Sequence, residues 1–335
     1  MSDAISTPRA SLGEWAQAAL LAANLAWTTL CLGGYRPETM VVTSALNGLL
    51  LAAHLLDRAG LGTLFTKHDA RDARAASAPA WHPAGVALLP FLAYAALNVA
   101  IVTPVRWLGW RDWLGWAQMI AVFWVVLNGV RSRGPQRLLV GALLGVACAS
   151  AALAIYQHFF RADWLMLGRT QSDQYLGRAS GSFGNPNSLG ALVILLLPTA
   201  GVLAWRARSA IVRATGWGVA VVLSAALAWS VSRGAWLGLA AAFIAWPLVA
   251  GGGIWRKKIL AAAAALGGVA ACGAVLFAVS PVVRERLAQL VADSGERSRP
   301  IVWRAAWELF CERPVLGTGG GSYNVLFEAH RPVGF

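Results

Sequence analysis

The chain has 335 residues, 58% of them hydrophobic and 13% charged, with a net charge of +13. Soluble domains carry about 25% charged residues, so this balance excludes an ordinary pair of soluble domains. A soluble chain this basic would point to nucleic acid; in a membrane chain the question is which loops hold the charge, and no nucleic-acid partner is expected.

Nine stretches lack Asp, Glu, Lys and Arg: 15–35, 39–56, 83–105, 113–130, 138–160, 184–205, 214–232, 234–255 and 259–283. A span needs about 20 mostly apolar residues, because the hydrocarbon core is about 30 Å thick. The expected fold is therefore all-α: a polytopic membrane helix bundle of about nine transmembrane helices over residues 1–283. An amphipathic helical segment is expected outside the membrane, over 284–335. The first stretch is longer than a signal-peptide core of about 7–15 residues, so it reads as a retained span.

Orientation follows the Lys and Arg of short loops. With the N-terminus inside, the inner segments hold fourteen such residues and the outer short loops seven. All three lysines (Lys67, Lys257 and Lys258) fall inside. This bias predicts a cytoplasmic N-terminus and, after nine crossings, a tail on the outer side. The tail itself carries seven arginines.

Taken in chain order, His54 falls at the inner end of the second span and reads as structural. The mixed-charge segment 57–82 reads as a connector. His158, in Tyr156-Gln157-His158, falls at the outer end of the fifth span, where anchoring within an aromatic belt is the plain reading.

The segment 161–187 differs from an ordinary connector, because it contains GRASGSFGNPNSLG from Gly177 onward. Asn185 precedes proline and is driven to extended backbone. Asn187 is expected to cap the sixth span. The N–H groups and positive dipole end of that span then face the outer side. Arg178 lies nine residues before Asn187, close enough to fold over the helix start and complete an anion site. The eighth span also starts outside, directly after Arg233. An isolated arginine at a membrane edge reads equally as a snorkelling anchor, and Arg178 reads equally as a solvated loop residue. The short Ser232-Arg233-Gly234 junction leaves Arg233 little room to snorkel.

In the tail, 284–291 is an amphipathic stretch. A helix is expected from Ser298 to just before Pro314, with Pro300 tolerated in its first turn. Trp303, Trp307 and Phe310 share one face of it, and Arg304 and Glu308 pair at i, i+4. The run Gly317-Thr318-Gly319-Gly320-Gly321 reads as a flexible turn, or as a nest whose N–H groups cradle phosphate. No GK[ST] follows and no strand precedes it, so it is neither a P-loop nor a dinucleotide fingerprint. His330 reads as a loop residue. Cys31, Cys148, Cys272 and Cys311 form no metal spacing. With few acids near the arginine loop, carboxylate-metal chemistry has no support, and no cofactor is expected.

Four stretches in this order carry a resemblance: 177–189 (GRASGSFGNPNSL), 230–238 (SVSRGAWLG), 299–307 (RPIVWRAAW) and 314–324 (PVLGTGGGSYN). From about Tyr156 onward the chain resembles the O-antigen ligase and O-antigen polymerase family. These bacterial membrane glycosyltransferases move glycans from undecaprenyl pyrophosphate carriers. The resemblance implies a multi-pass inner-membrane enzyme and a metal-independent, inverting transfer on the periplasmic face. The donor would be an undecaprenyl-pyrophosphate-linked glycan, and the acceptor a lipid A core, a growing polysaccharide or a protein hydroxyl. It implies that Arg178, Arg233 and Arg299 hold the pyrophosphate, supported by Asn185 and Asn187. Trp303, Gly317, Gly319 and Gly321 would shape the outer loop. The family's catalytic histidine stands in a His-Asn pair beyond the glycine turn, followed by further spans. His330 is followed by Arg331, a poor match, so the chain reads as cut before its base. A carrier or polysaccharide transporter, or a non-catalytic carrier-binding fragment, are the alternative readings.

Overall fold

The structure, a computed structural model, describes residues 10–34, 36–59, 83–249, 254–279, 284 and 298–331. These residues are helical apart from loops and one isolated bridge, Trp164 to Thr170. In chain order the helices are α1 (Leu12–Leu30), α2 (Pro37–Arg58), α3 (Leu89–Ile101), α4 (Arg106–Gly129), α5 (Arg133–Phe159), α6 (Pro186–Arg206), α7 (Ala210–Ser230), α8 (Arg233–Val249), α9 (Trp255–Val279), α10 (Ser298–Glu312) and α11 (Tyr323–His330). A single helical turn, Pro83–Val86, precedes α3.

Among the described residues, five helices are long and apolar enough to cross a membrane: Pro37–Arg58, Ala84–Ile101, Arg133–Phe159, Pro186–Arg206 and Ala210–Ser230. The shorter Arg233–Val249 is also apolar. The expected nine crossings are not reached by this measure. In α1 the reason is visible. It carries Glu14, Gln17 and Asn24, all buried against protein. Such polar side chains face a bundle interior and not lipid.

The chain divides into two compact units, one of Met1–Thr66 with Val130–Gly273 and the other of Lys67–Gly129 with Ala274–Phe335. The core of the first unit lies between α5, α6 and α7. Ala147, Ala151 and Ala154 form a small-residue face on α5. Leu189, Val193 and Leu196 of α6 and Leu223 and Leu227 of α7 join it in the core. Small residues let helices approach closely where water exclusion cannot drive them together. At the end of this unit away from the 160–185 loop, Glu14 of α1 accepts from the backbone N–H groups of Arg131 and Ser132. It also accepts from Ser132 Oγ at 2.6 Å. A carboxylate from one helix thus satisfies the start of another, where the dipole favours it. Buried His54 is hydrogen-bonded to Gln17 at 2.8 Å, and Gln17 donates to Asp57 at 3.1 Å. His54 thus has the structural role expected of it.

In the second unit the glycine turn packs on the corner between α3 and α4. Asn98 Nδ2 donates to the Leu316 carbonyl at 2.7 Å. A Cβ on Gly319 (φ 93°) would lie 2.5 Å from Thr103 Cα, and one on Gly321 (φ 70°) 2.9 Å from the Leu108 carbonyl. These are positions that only glycine fills. The turn is therefore a fitted element. The helix expected from Ser298 is present as α10, with Arg304 Nε 2.9 Å from Glu308. That hydrogen bond holds the Glu308 carboxyl below the usual carboxylate range. Ala305 and Leu309 form the buried face of α10, while Trp303, Trp307 and Phe310 are exposed on the other. Apart from Arg284, the amphipathic stretch 284–291 lies outside the described residues, as does most of the connector 57–82.

Candidate anion site

The loop from Arg161 to Asn185 is held from below by one buried amide. Gln157, in the last turn of α5, accepts from the N–H groups of Ser180 and Gly181 at 2.9 and 2.8 Å. It donates to the carbonyls of Trp164 and Gly181 at 2.9 and 2.8 Å. Gln171 ties the same loop to itself, donating to the carbonyls of Tyr175 and Arg178 at 2.6 and 2.8 Å. Ala179 N–H donates to the Trp229 carbonyl at 2.9 Å, which ties the loop to the end of α7. A buried loop must satisfy its backbone groups in this way.

That anchoring sets Arg178 at the junction of α7 and α8. Its Nε donates to the Ser230 carbonyl at 3.1 Å, and a terminal nitrogen donates to Asn187 Oδ1 at 3.2 Å. The guanidinium also lies 5.7 Å from the centre of the Tyr175 ring, within the range of a cation–π contact. Asn187 Oδ1 accepts a second hydrogen bond, from Ser232 Oγ at 3.0 Å. One amide oxygen therefore joins the stretch 177–189 to the stretch 230–238.

The expected cap of α6 needs correction. Asn185, not Asn187, is the N-cap: its backbone is extended and its side chain accepts from Asn187 N–H at 2.9 Å. Pro186 takes the first helical position, where its missing N–H is not needed. Asn187 sits one residue further in, and its oxygen is used to bridge Arg178 and Ser232.

Two helix starts meet here. A Cβ on Gly190, in the first turns of α6, would lie 2.7 Å from Ala235 Cβ and 3.1 Å from Ser232 Cβ, so α6 approaches the start of α8 closely. Arg233 is the first residue of α8. The turn before it puts Val231 at φ 49°, ψ 34°. A β-branched residue in the left-handed region is strained, by about 1–3 kcal/mol, and such strain collects at functional turns. Two positive dipole ends, Arg178 and Arg233 thus belong to one corner of the first unit. Helix N-termini in general favour negative charge.

His158 is exposed and stacks on Trp229, with ring centres 5.0 Å apart. Phe159 meets the same indole edge-on. These rings form one local aromatic cluster at the end of α5 and α7. In the second unit, Arg299 lies in the first turn of α10, and its side chain is outside what is described. Trp303 is exposed. Gly317 N–H donates to the Arg313 carbonyl at 2.8 Å. His330 lies 3.4 Å from a carboxylate oxygen of Glu308 and 3.6 Å from one of Glu312. It is thus a partner of α10 and not the loop residue expected.

Sequence reading passed over Gln157, Gln171, Ser230 and Ser232 as positioning residues. Gln157 carried a usable signal, since an amide inside an apolar stretch needs partners. No group of three or more His, Cys, Asp or Glu able to hold a metal occurs among the described residues.

Residues 218–333 match a family model described as O-antigen ligase. The match covers about a third of the chain, from within α7 to the end of α11. It includes Ser230, Ser232, Arg233, Arg299, Trp303 and the glycine turn. Arg178, Asn185 and Asn187 lie before it; Arg178 is tied to it through Ser230 and Asn187 through Ser232. No curated protein and no solved structure gives a significant match.

Proposed function

We propose that this chain, a member of the O-antigen ligase family by its residues 218–333, transfers a glycan from undecaprenyl pyrophosphate to an acceptor hydroxyl on the periplasmic face of the inner membrane. The observation that carries the reading is the bridge Arg178–Asn187–Ser232, which brings Arg178 to the start of α6 and to the residue just before α8, the helix that Arg233 opens.

The chemistry needs such a corner. The acceptor oxygen attacks the anomeric carbon, and the bond from that carbon to the pyrophosphate oxygen breaks. The electron pair leaves on the diphosphate, and the hydroxyl proton passes to a base. Charge therefore grows on the leaving group. Donors already aimed at it stabilise the transition state without reorganising. Guanidinium suits this task, since its planar fork matches phosphate oxygens and its charge is permanent. The bonds of Arg178 to Ser230 and Asn187 fix the plane of that fork. No metal is required in this scheme. The roles of Arg299 and Trp303 rest on the family resemblance alone, which also implies a histidine base; no residue of this chain is assigned that role.

Removing one transition-state donor typically lowers a rate by about 10²–10³-fold. Arg233→Ala is accordingly expected to reduce glycan attachment in cells by that order, with unchanged abundance in the membrane. Normal attachment in that variant removes Arg233 from the site. Carrier movement across proteoliposome membranes without formation of a glycosidic bond replaces the enzyme reading with a transporter.

A further inference from the structure

The first unit carries a second basic feature, at the end away from the 160–185 loop. A groove of about 430 Å³ runs between the first half of α5 and the last turns of α6. It is lined by Arg133, Gln136, Arg137, Val140, Gly141, Leu144 and Leu203. Its size falls within the range of about 300–1,000 Å³ typical of small-molecule sites.

The lining is divided along its length. Arg133 and Arg137 stand one turn apart at the start of α5, on the same face. Two like charges so placed destabilise a helix slightly unless an anion lies between them. Neither has a salt bridge among the described residues, and both are exposed. Arg206 ends α6 one turn beyond Leu203 and adds charge at this end. Deeper along α5 the lining is apolar. At Gly141 a Cβ would meet nothing within 4 Å, and the same holds at Gly145 one turn on. The backbone of α5 is thus bare along this face. From Arg133 to Leu144 the helix advances about 16 Å at 1.5 Å per residue, close to the ~15 Å depth of one leaflet. Because α5 qualifies as a span, its first turn lies at the membrane boundary.

We propose that this groove is a binding site for one anionic phospholipid, its phosphate held by Arg133 and Arg137 and one acyl chain laid along Val140, Gly141 and Leu144. The shape and the charge select the same occupant. A free phosphate has no use for the apolar floor, and a zwitterionic lipid makes little use of two arginines. The site lies at the other end of α5 from the Arg178 corner, and its test is independent of glycan transfer.

The experiment titrates purified protein with phosphatidylglycerol or phosphatidylcholine and counts retained lipids by native mass spectrometry. The wild type is expected to retain phosphatidylglycerol preferentially. Arg133→Gln with Arg137→Gln is expected to reduce that retention about thirtyfold, since each arginine near an anionic headgroup contributes roughly equally. Gly141→Leu keeps both arginines and fills the floor, and it is expected to lose the lipid as well. Equal retention of both lipids by the wild type overturns the proposal. So does undiminished retention of phosphatidylglycerol in either variant. Displacement of the lipid by millimolar inorganic phosphate likewise overturns it, because the arginines are then a phosphate site without a lipid.

Discussion

Asn187 is the residue on which the site turns. Its oxygen accepts from Arg178 and Ser232 together, although the sequence alone suggested a helix cap. The cap was legible one step earlier. The extended backbone imposed on Asn185 by Pro186 is the conformation that an N-cap requires, and the proline then occupies the first turn. What was not legible is the bridge, because Ser232 lies 45 residues away in the chain. Two substitutions separate its roles. Asn187→Asp keeps the acceptors and adds a negative charge beside the proposed anion, so carrier affinity is expected to fall about tenfold or more with thermal stability unchanged. Asn187→Leu removes the acceptor that Arg178 and Ser232 share, so affinity is expected to fall with some loss of stability. Calorimetry with a soluble polyprenyl diphosphate, alongside thermal unfolding in detergent, reads both. Unchanged affinity in the Asp variant takes the anion away from this corner.

At the scale of elements, helix positions were readable and their partners were not. The apolar stretches marked the helices, and the i, i+4 spacing found the Arg304–Glu308 pair of α10. Membrane crossing was harder to read from a lack of charge alone. In α1, uncharged but polar Gln17 and Asn24 face the bundle, and charge counting passes over them. The glycine turn was read as flexible because its support, Asn98 and Thr103, comes from the α3–α4 corner more than 200 residues earlier. Its glycines are needed for backbone geometry and fit. Gly319→Ala combines a left-handed backbone with a collision against Thr103. It is expected to destabilise the second unit by about 2 kcal/mol or more. Gly320→Ala, at a position whose nearest neighbour is Val99 at 3.5 Å, is expected to be much milder. Equal melting temperatures for the two variants contradict the fitted-turn reading.

For the molecule as a whole, composition pointed to the membrane class, and ordered motifs carried a family resemblance that a family model matches over residues 218–333, but neither shows how the motifs meet. The family match begins at residue 218 and leaves out Arg178 and Asn187. The fold of the first unit brings these two against Ser230 and Ser232, inside the match. That joining underlies the proposal that two arginines from separate stretches act on one diphosphate. The most direct measurement is the affinity of purified protein in lipid nanodiscs for undecaprenyl pyrophosphate, for wild type, Arg178→Ala, Arg233→Ala and the double variant. Each single variant is expected to lose about tenfold or more, and the double variant less than the product of the two losses, because residues that share one ligand are coupled. Wild-type affinity in either folded single variant, or losses that simply multiply, contradicts a shared site.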